Sequence, residues 1–150
     1  MYKIEQVLPH AAPMILVDEL CAYDQNSAVC KVTITTASAF FDETANGVPS
    51  YVGIEYMAQT IAAFAGAHEQ DAGHLVQIGF LLGSRKYNSL TSHFGLGSTL
   101  HISVTRLYQE DSGLSVFDCK IKHQASLLAS AKVNTFQPEN ANQYLREQNQ

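Results

Sequence analysis

Glu55 is a carboxylate inside an apolar run, and it is where the chemistry of this sequence is most concentrated. Around it stand Val52, Ile54, Met57, Ala58, Ile61, Ala62, Ala63, Phe64 and Ala65. Residues 51–68 contain no proline and are rich in alanine, so a helix is expected there. Apolar side chains fall on every side of it, and such a helix is buried on every side. Gln59 lies one turn after Glu55 on the same side. A carboxylate in that setting is costly to bury unless it is paired or used in proton transfer. Burial raises a carboxyl pKa, lets the group hold a proton near neutral pH, and so suits a general acid. The alternative is a partly exposed glutamate near a helix N-terminus, held by the helix dipole.

His10 stands between Pro9 and Ala11, with Pro13 close behind, in what reads as a fixed irregular turn. It could act as a base near neutral pH or simply bond to backbone. His68, His74, His93, His101 and His123 are scattered without metal-ligand spacing, so no metal site is expected. Gly47-Val48-Pro49-Ser50-Tyr51 leads into the helix, with Ser50 as the expected N-cap. Free N–H groups at such a start can polarise a carbonyl oxygen. Gly95-x-Gly97 sits between strands, where a dinucleotide motif would not be. Arg85-Lys86 reads as a solvated strand end or as a patch for an acidic partner. Cys21, Cys30 and Cys119 are odd in number and form no C-x-x-C pattern, so reduced thiols in a cytoplasmic protein are expected.

These residues must be positioned by the rest of the chain. Residues 14–22 and 28–36 read as two strands joined by a polar connection, hence a hairpin. In the second of these, Cys30, Val32 and Ile34 share one face and Val29, Lys31 and Thr33 the other. Residues 40–49 read as a loop. After the helix come about four strands, with alternation around Phe80, Ile102, Cys119 and residues 127–136. A long antiparallel sheet with one apolar face needs a cover, and the apolar helix is the candidate. The expected class is α+β, a sheet wrapped around one central helix in the hot-dog arrangement. With 150 residues, one domain over residues 1–138 and a polar tail over residues 139–150 are expected. The net charge of −5 disfavours nucleic acid. No uninterrupted apolar stretch reaches membrane-spanning length, and no apolar region follows Lys3 as a signal peptide would require.

Two stretches carry a family resemblance. Leu8-Pro9-His10-Ala11-Ala12-Pro13-Met14-Ile15-Leu16-Val17-Asp18 resembles the opening of the 3-hydroxyacyl-[acyl carrier protein] dehydratases. Gly53-Ile54-Glu55-Tyr56-Met57-Ala58-Gln59 resembles their central helix, and Gly79-Phe80-Leu81-Leu82-Gly83 the strand that follows. The run from Gly47 to Gln59 and the Gly83-x-Arg85 step are most similar to a divergent branch, the dehydratase-like proteins of aryl-polyene pigment clusters. The resemblance covers roughly residues 5–136.

The resemblance implies dehydration of a 3-hydroxyacyl thioester carried on the phosphopantetheine arm of an acyl carrier protein, with no other cofactor. Glu55 would be the acid. The fatty-acid enzymes carry their catalytic histidine at the position of Phe41, and a glycine at that of Ser50. His10 is therefore the remaining candidate base, and the backbone donor would come from Ser50. Candidate substrate-binding residues are Ser50, Tyr51, Phe41 and Gln59, and Arg85 and Lys86 are the candidate carrier contact. A homodimer, or a heterodimer with a second hot-dog subunit, is implied. An acyl thioesterase and a weakly catalytic partner subunit are the competing readings.

Overall fold

The computed structural model describes residues 1–9, 14–76 and 80–136. In chain order the elements are α1 (Ile4–Val7), β1 (Glu19–Tyr23), β2 (Ser27–Thr33), β3 (Gly47–Pro49), a 3-10 turn (Ser50–Val52) and α2 (Gly53–Asp71). Then follow β4 (Phe80–Ser89), β5 (His93–Gly95), β6 (Thr99–Gln109), β7 (Leu114–His123) and β8 (Ser126–Phe136).

β1 and β2 form the expected hairpin. Asp24 shapes its turn by accepting from the N–H groups of Asn26 at 2.9 Å and Ser27 at 2.8 Å. Ala28, Cys30 and Val32 are buried while Val29 and Lys31 are half-exposed, as for a sheet covered on one face. Six strands join antiparallel in the order β1-β2-β6-β7-β8-β4. Ile102 and Val104 of β6, Cys119 and Ile121 of β7, and Ala131 and Val133 of β8 supply the buried face.

α2 covers that face. From residue 53 to residue 69 no side chain is exposed, so the helix is enclosed much as its composition requires. Phe64 meets Phe117 edge to face at 5.6 Å between ring centroids, and Tyr56 lies 6.0 Å from Phe94. The result is the hot-dog arrangement, one long helix clasped by an antiparallel sheet. The α-helix begins later than expected, because its entrance tightens into the 3-10 turn. It also ends later, where Gly73 takes φ +77° and closes a Schellman motif. In that motif the N–H of His74 bonds to the Glu69 carbonyl at 2.8 Å, and that of Gly73 to the Gln70 carbonyl at 3.0 Å.

Three elements are absent from the expectation. α1 packs across α2 at Gly66, where a Cβ would collide with the Val7 carbonyl oxygen. β3 and β5 form a small sheet of their own, β3 at the end of the segment 40–49 read as a loop and β5 in a stretch to which no strand was assigned. Each has three residues, too few for a visible alternation. Among the described residues no helix is long and apolar enough to cross a membrane. The expected tail over residues 139–150 lies outside the described residues.

Candidate active site

Gln59 organises the region around Glu55. It is 1% exposed. Its Oε1 accepts from the N–H of Leu16 at 2.8 Å and, at longer range, of Val17 at 3.4 Å. Its Nε2 donates to the Met14 carbonyl at 2.7 Å and to Glu55 Oε1 at 3.4 Å. Residues 14–18 are therefore irregular chain tied to the helix, where the sequence suggested a strand starting at residue 14. The strand begins only at Glu19. A buried amide with all its groups engaged is stable, and losing any of these partners would be costly. The expected burial of Glu55 is only partly realised: in this chain its side chain is half-buried beside Gln59.

The helix entrance is built differently from the expectation. Ser50 is not the N-cap: Pro49 precedes the 3-10 turn and Val52 precedes α2, and no side chain caps either start. The Ser50 N–H donates to the Ser92 carbonyl at 3.0 Å, which ties the entrance to the loop before β5. That bond removes Ser50 N–H as the free donor the resemblance had implied. The Ser50 carbonyl accepts from the Tyr87 hydroxyl at 2.5 Å and also from the Gly53 N–H. Gly53 has no room for a side chain. A Cβ there would strike the Tyr87 hydroxyl and lie 2.9 Å from Ile121 Cδ1 and 3.2 Å from the Phe94 ring. Burial pushes the Tyr87 hydroxyl pKa up to about 12, so it remains a donor throughout the neutral range.

The other sequence candidates are spread around this entrance. Tyr51 is exposed, and Phe41 is half-buried against the core with its N–H on the Ser38 carbonyl at 3.1 Å. Phe40, exposed and at φ +65°, turns the chain just before it. The His93 Nε2 lies 3.9 Å from Asp42 Oδ2, across the small sheet from the helix entrance. His10 lies outside the described residues. Arg85 and Lys86 are not at a strand end: they sit inside β4, at a break in its register with β8. Lys86 is exposed and takes φ +55°. Among the described residues no group of three His, Cys, Asp or Glu side chains gathers as metal ligands would.

Sequence reasoning missed Tyr87 and Ser92. Neither belongs to a motif, and both act on the helix entrance across more than thirty-five residues of chain. The extra residue that Arg85-Lys86-Tyr87 brings to β4 is a bulge, and that has no sequence period.

What the arrangement can do is donate a proton from a half-buried carboxyl beside a helix start whose N–H groups have no side-chain cap. A family model for the ApeP dehydratase, ApeP-like, matches residues 2–146. The chain belongs to that family. Among curated relatives of this ApeP-like chain is the 3-hydroxyacyl-[acyl-carrier-protein] dehydratase FabZ of Agrobacterium fabrum (strain C58 / ATCC 33970). The two are 26% identical over 137 residues, 87% of this chain and 84% of that protein. A chain of the dehydratase heterocomplex ApeI:P from Xenorhabdus doucetiae superposes with a TM-score of 0.91 at 28% identity, covering 100% of this chain and 99% of that one. The E. coli PaaI protein of the phenylacetic acid degradation operon gives a TM-score of 0.62 at 14% identity, over 79% of this chain and 81% of that chain, and shares the fold.

Proposed function

We propose that this ApeP-like chain dehydrates a 3-hydroxyacyl chain, carried as an acyl-carrier-protein thioester, to the trans-2-enoyl thioester. The setting would be fatty-acid-like or aryl-polyene synthesis in the cytoplasm. A base takes the C2 proton, Glu55 protonates the departing C3 hydroxyl, and N–H groups at the helix entrance hold the thioester oxygen. The observation that carries the reading is Glu55 itself. Gln59 holds it on the one long helix and ties that helix to the chain that follows the Pro9-His10 motif. The substrate arm is the phosphopantetheine of the carrier, and no further cofactor is needed for loss of water.

A second reading, a paired enzyme in which this chain supplies the acid and another subunit the base, has its own support. Phe41 fills the position of the usual base and packs on the core. A structural relative is part of a heterocomplex of dehydratases. The test is to offer a 3-hydroxyacyl carrier thioester to the purified chain, alone and with a second hot-dog subunit, and to read the acyl product by mass. Enoyl thioester is the expected product. Free acid and released thiol would overturn the reading in favour of a thioesterase. Turnover only with the second subunit present would establish the paired form.

A further inference from the structure

We propose that Tyr87 is a positioning residue: it fixes and polarises the peptide unit between Ser50 and Tyr51, whose N–H then serves as donor to the thioester oxygen. The inference rests on the dehydratase reading above.

The Ser50 carbonyl and the Tyr51 N–H are opposite ends of one rigid plane. At the carbonyl end the Tyr87 hydroxyl donates at 2.5 Å, and the Gly53 N–H donates to the same oxygen. In a trans peptide the N–H then points the other way, out of the helix start. The neighbouring N–H groups are already used. That of Ser50 is bonded to Ser92 at 3.0 Å, and Val52 lies inside the 3-10 turn. No side chain caps the turn, and among the described residues no partner stands on the Tyr51 N–H, so it is open to a ligand. Two donors on a carbonyl oxygen polarise its peptide and strengthen the N–H at the far end.

Three separate features aim Tyr87 at this oxygen. β4 is the edge strand of the sheet, and its register with β8 breaks between Arg85 and Asn88. Lys86, just before Tyr87, is held in the left-handed region at φ +55° without being glycine. Bulges and strained residues of this kind re-aim a side chain, and here they turn Tyr87 toward the helix. Gly53 leaves the space the hydroxyl occupies. A phenylalanine would fill the same ring space, so only the hydroxyl depends on reaching Ser50. Its proton stays in place at working pH, because burial raises the pKa to about 12.

The thioester oxygen gains negative charge as the C2 proton leaves. Donor strength at Tyr51 then matters more in the transition state than in the bound substrate, and its loss falls on kcat rather than KM. The experiment compares the wild type, Tyr87→Phe and Glu55→Gln on 3-hydroxyacyl carrier thioester, with the second hot-dog subunit present and absent. A bound thioester analogue labelled with carbon-13 at the carbonyl reports the donor through its infrared stretch.

For Tyr87→Phe we expect kcat to fall about tenfold, less than the hundredfold or more lost with a donor that touches the oxygen itself. KM should stay within about twofold, as for an interaction made mainly in the transition state. The pH profile should keep its shape, and the carbonyl stretch should move toward its value in free solution. An unchanged kcat and an unmoved stretch, with Glu55→Gln dead and the wild type active, overturn the positioning role and leave the dehydratase reading standing. A wild type that is inactive under both conditions removes the dehydratase reading and this inference with it. Should Tyr87→Phe fail to fold, Tyr87→3-fluorotyrosine keeps ring and hydroxyl while making the hydroxyl a stronger donor. The stretch should then move further from its free value with kcat at or above the parent; an unmoved stretch overturns the proposal.

Discussion

Gln59 Nε2 stands 3.4 Å from Glu55 Oε1, and the same amide donates to the Met14 carbonyl at 2.7 Å. One side chain thus sets the acid and anchors the segment that leads away from His10. The consequence can be tested directly. Gln59→Leu keeps the volume but leaves the Leu16 N–H and the Met14 carbonyl without their partner. The expected loss is about 2–3 kcal/mol, read from the urea midpoint. A midpoint equal to the parent's would show that residues 14–17 are held by something else.

Glu55→Gln removes the titrating proton and keeps the shape. Dehydration should fall by about a hundredfold or more while folding survives. His10→Ala should match that loss if His10 is the base; a near-silent His10→Ala would assign the base to another subunit. Phe41→His places an imidazole where the fatty-acid enzymes carry theirs. A rise in rate would show that the site keeps their geometry.

Gly66→Ala pits helix propensity against packing. Alanine is favoured over glycine by about 1 kcal/mol in a helix. Here its Cβ would land on the Val7 carbonyl oxygen, which is backbone and cannot swing aside. The net result should be a loss of about 1–3 kcal/mol, which at this size lowers Tm by about 2–4 °C per kcal/mol. A rise in Tm would mean that α1 does not sit against α2 in solution.

Asp71 accepts from Tyr2 at 2.6 Å and from Tyr23 at 2.8 Å, and these bonds hold its carboxyl below the usual 3.8. A lowered folded pKa stabilises above the unfolded value and is lost as pH falls through the folded one. At the other end the bond to Asp71 pushes Tyr2 up to about 12, so its contribution fades as pH rises through that value. The advantage of the wild type over Asp71→Asn should therefore form a plateau from about pH 4–5 to about pH 10 and shrink on both sides. Thermal melts across pH measure it; a flat difference would place the stabilisation elsewhere.

Arg85 and Lys86 are proposed as the carrier contact on charge alone, since an acidic carrier would meet a chain of net charge −5 best at a local basic site. Reversing both charges should raise the apparent KM for carrier-bound substrate and spare a short soluble thioester. Equal effects on both substrates would point to a disturbed β4.

The large elements were legible because their signals are periodic. Cys30 and Val32 alternate with Val29 and Lys31 as a half-covered strand must, and α2 is apolar all round. Glu55 stood out in the sequence because a carboxylate contrasts with its apolar neighbours, and the structure leaves its side chain half-buried beside Gln59. What escaped was local and aperiodic. β3 and β5 are three residues each, and the 3-10 turn displaced Ser50 from the cap position. Tyr87 reaches Ser50 only because β4 carries a bulge at Lys86, a contact set by tertiary geometry.

The strand order also has a consequence in time. β6, β7 and β8 are neighbours both in sequence and in the sheet, so they can pair early as a meander. β2 must find β6 across more than sixty residues, and β4 must find β8 across forty or more. Closing such long loops is entropically slow. We expect the meander to gain hydrogen-exchange protection first in pulse labelling, with β4 among the last strands protected. The helix entrance, fastened through Tyr87 of β4, would then take shape late, after the meander has formed.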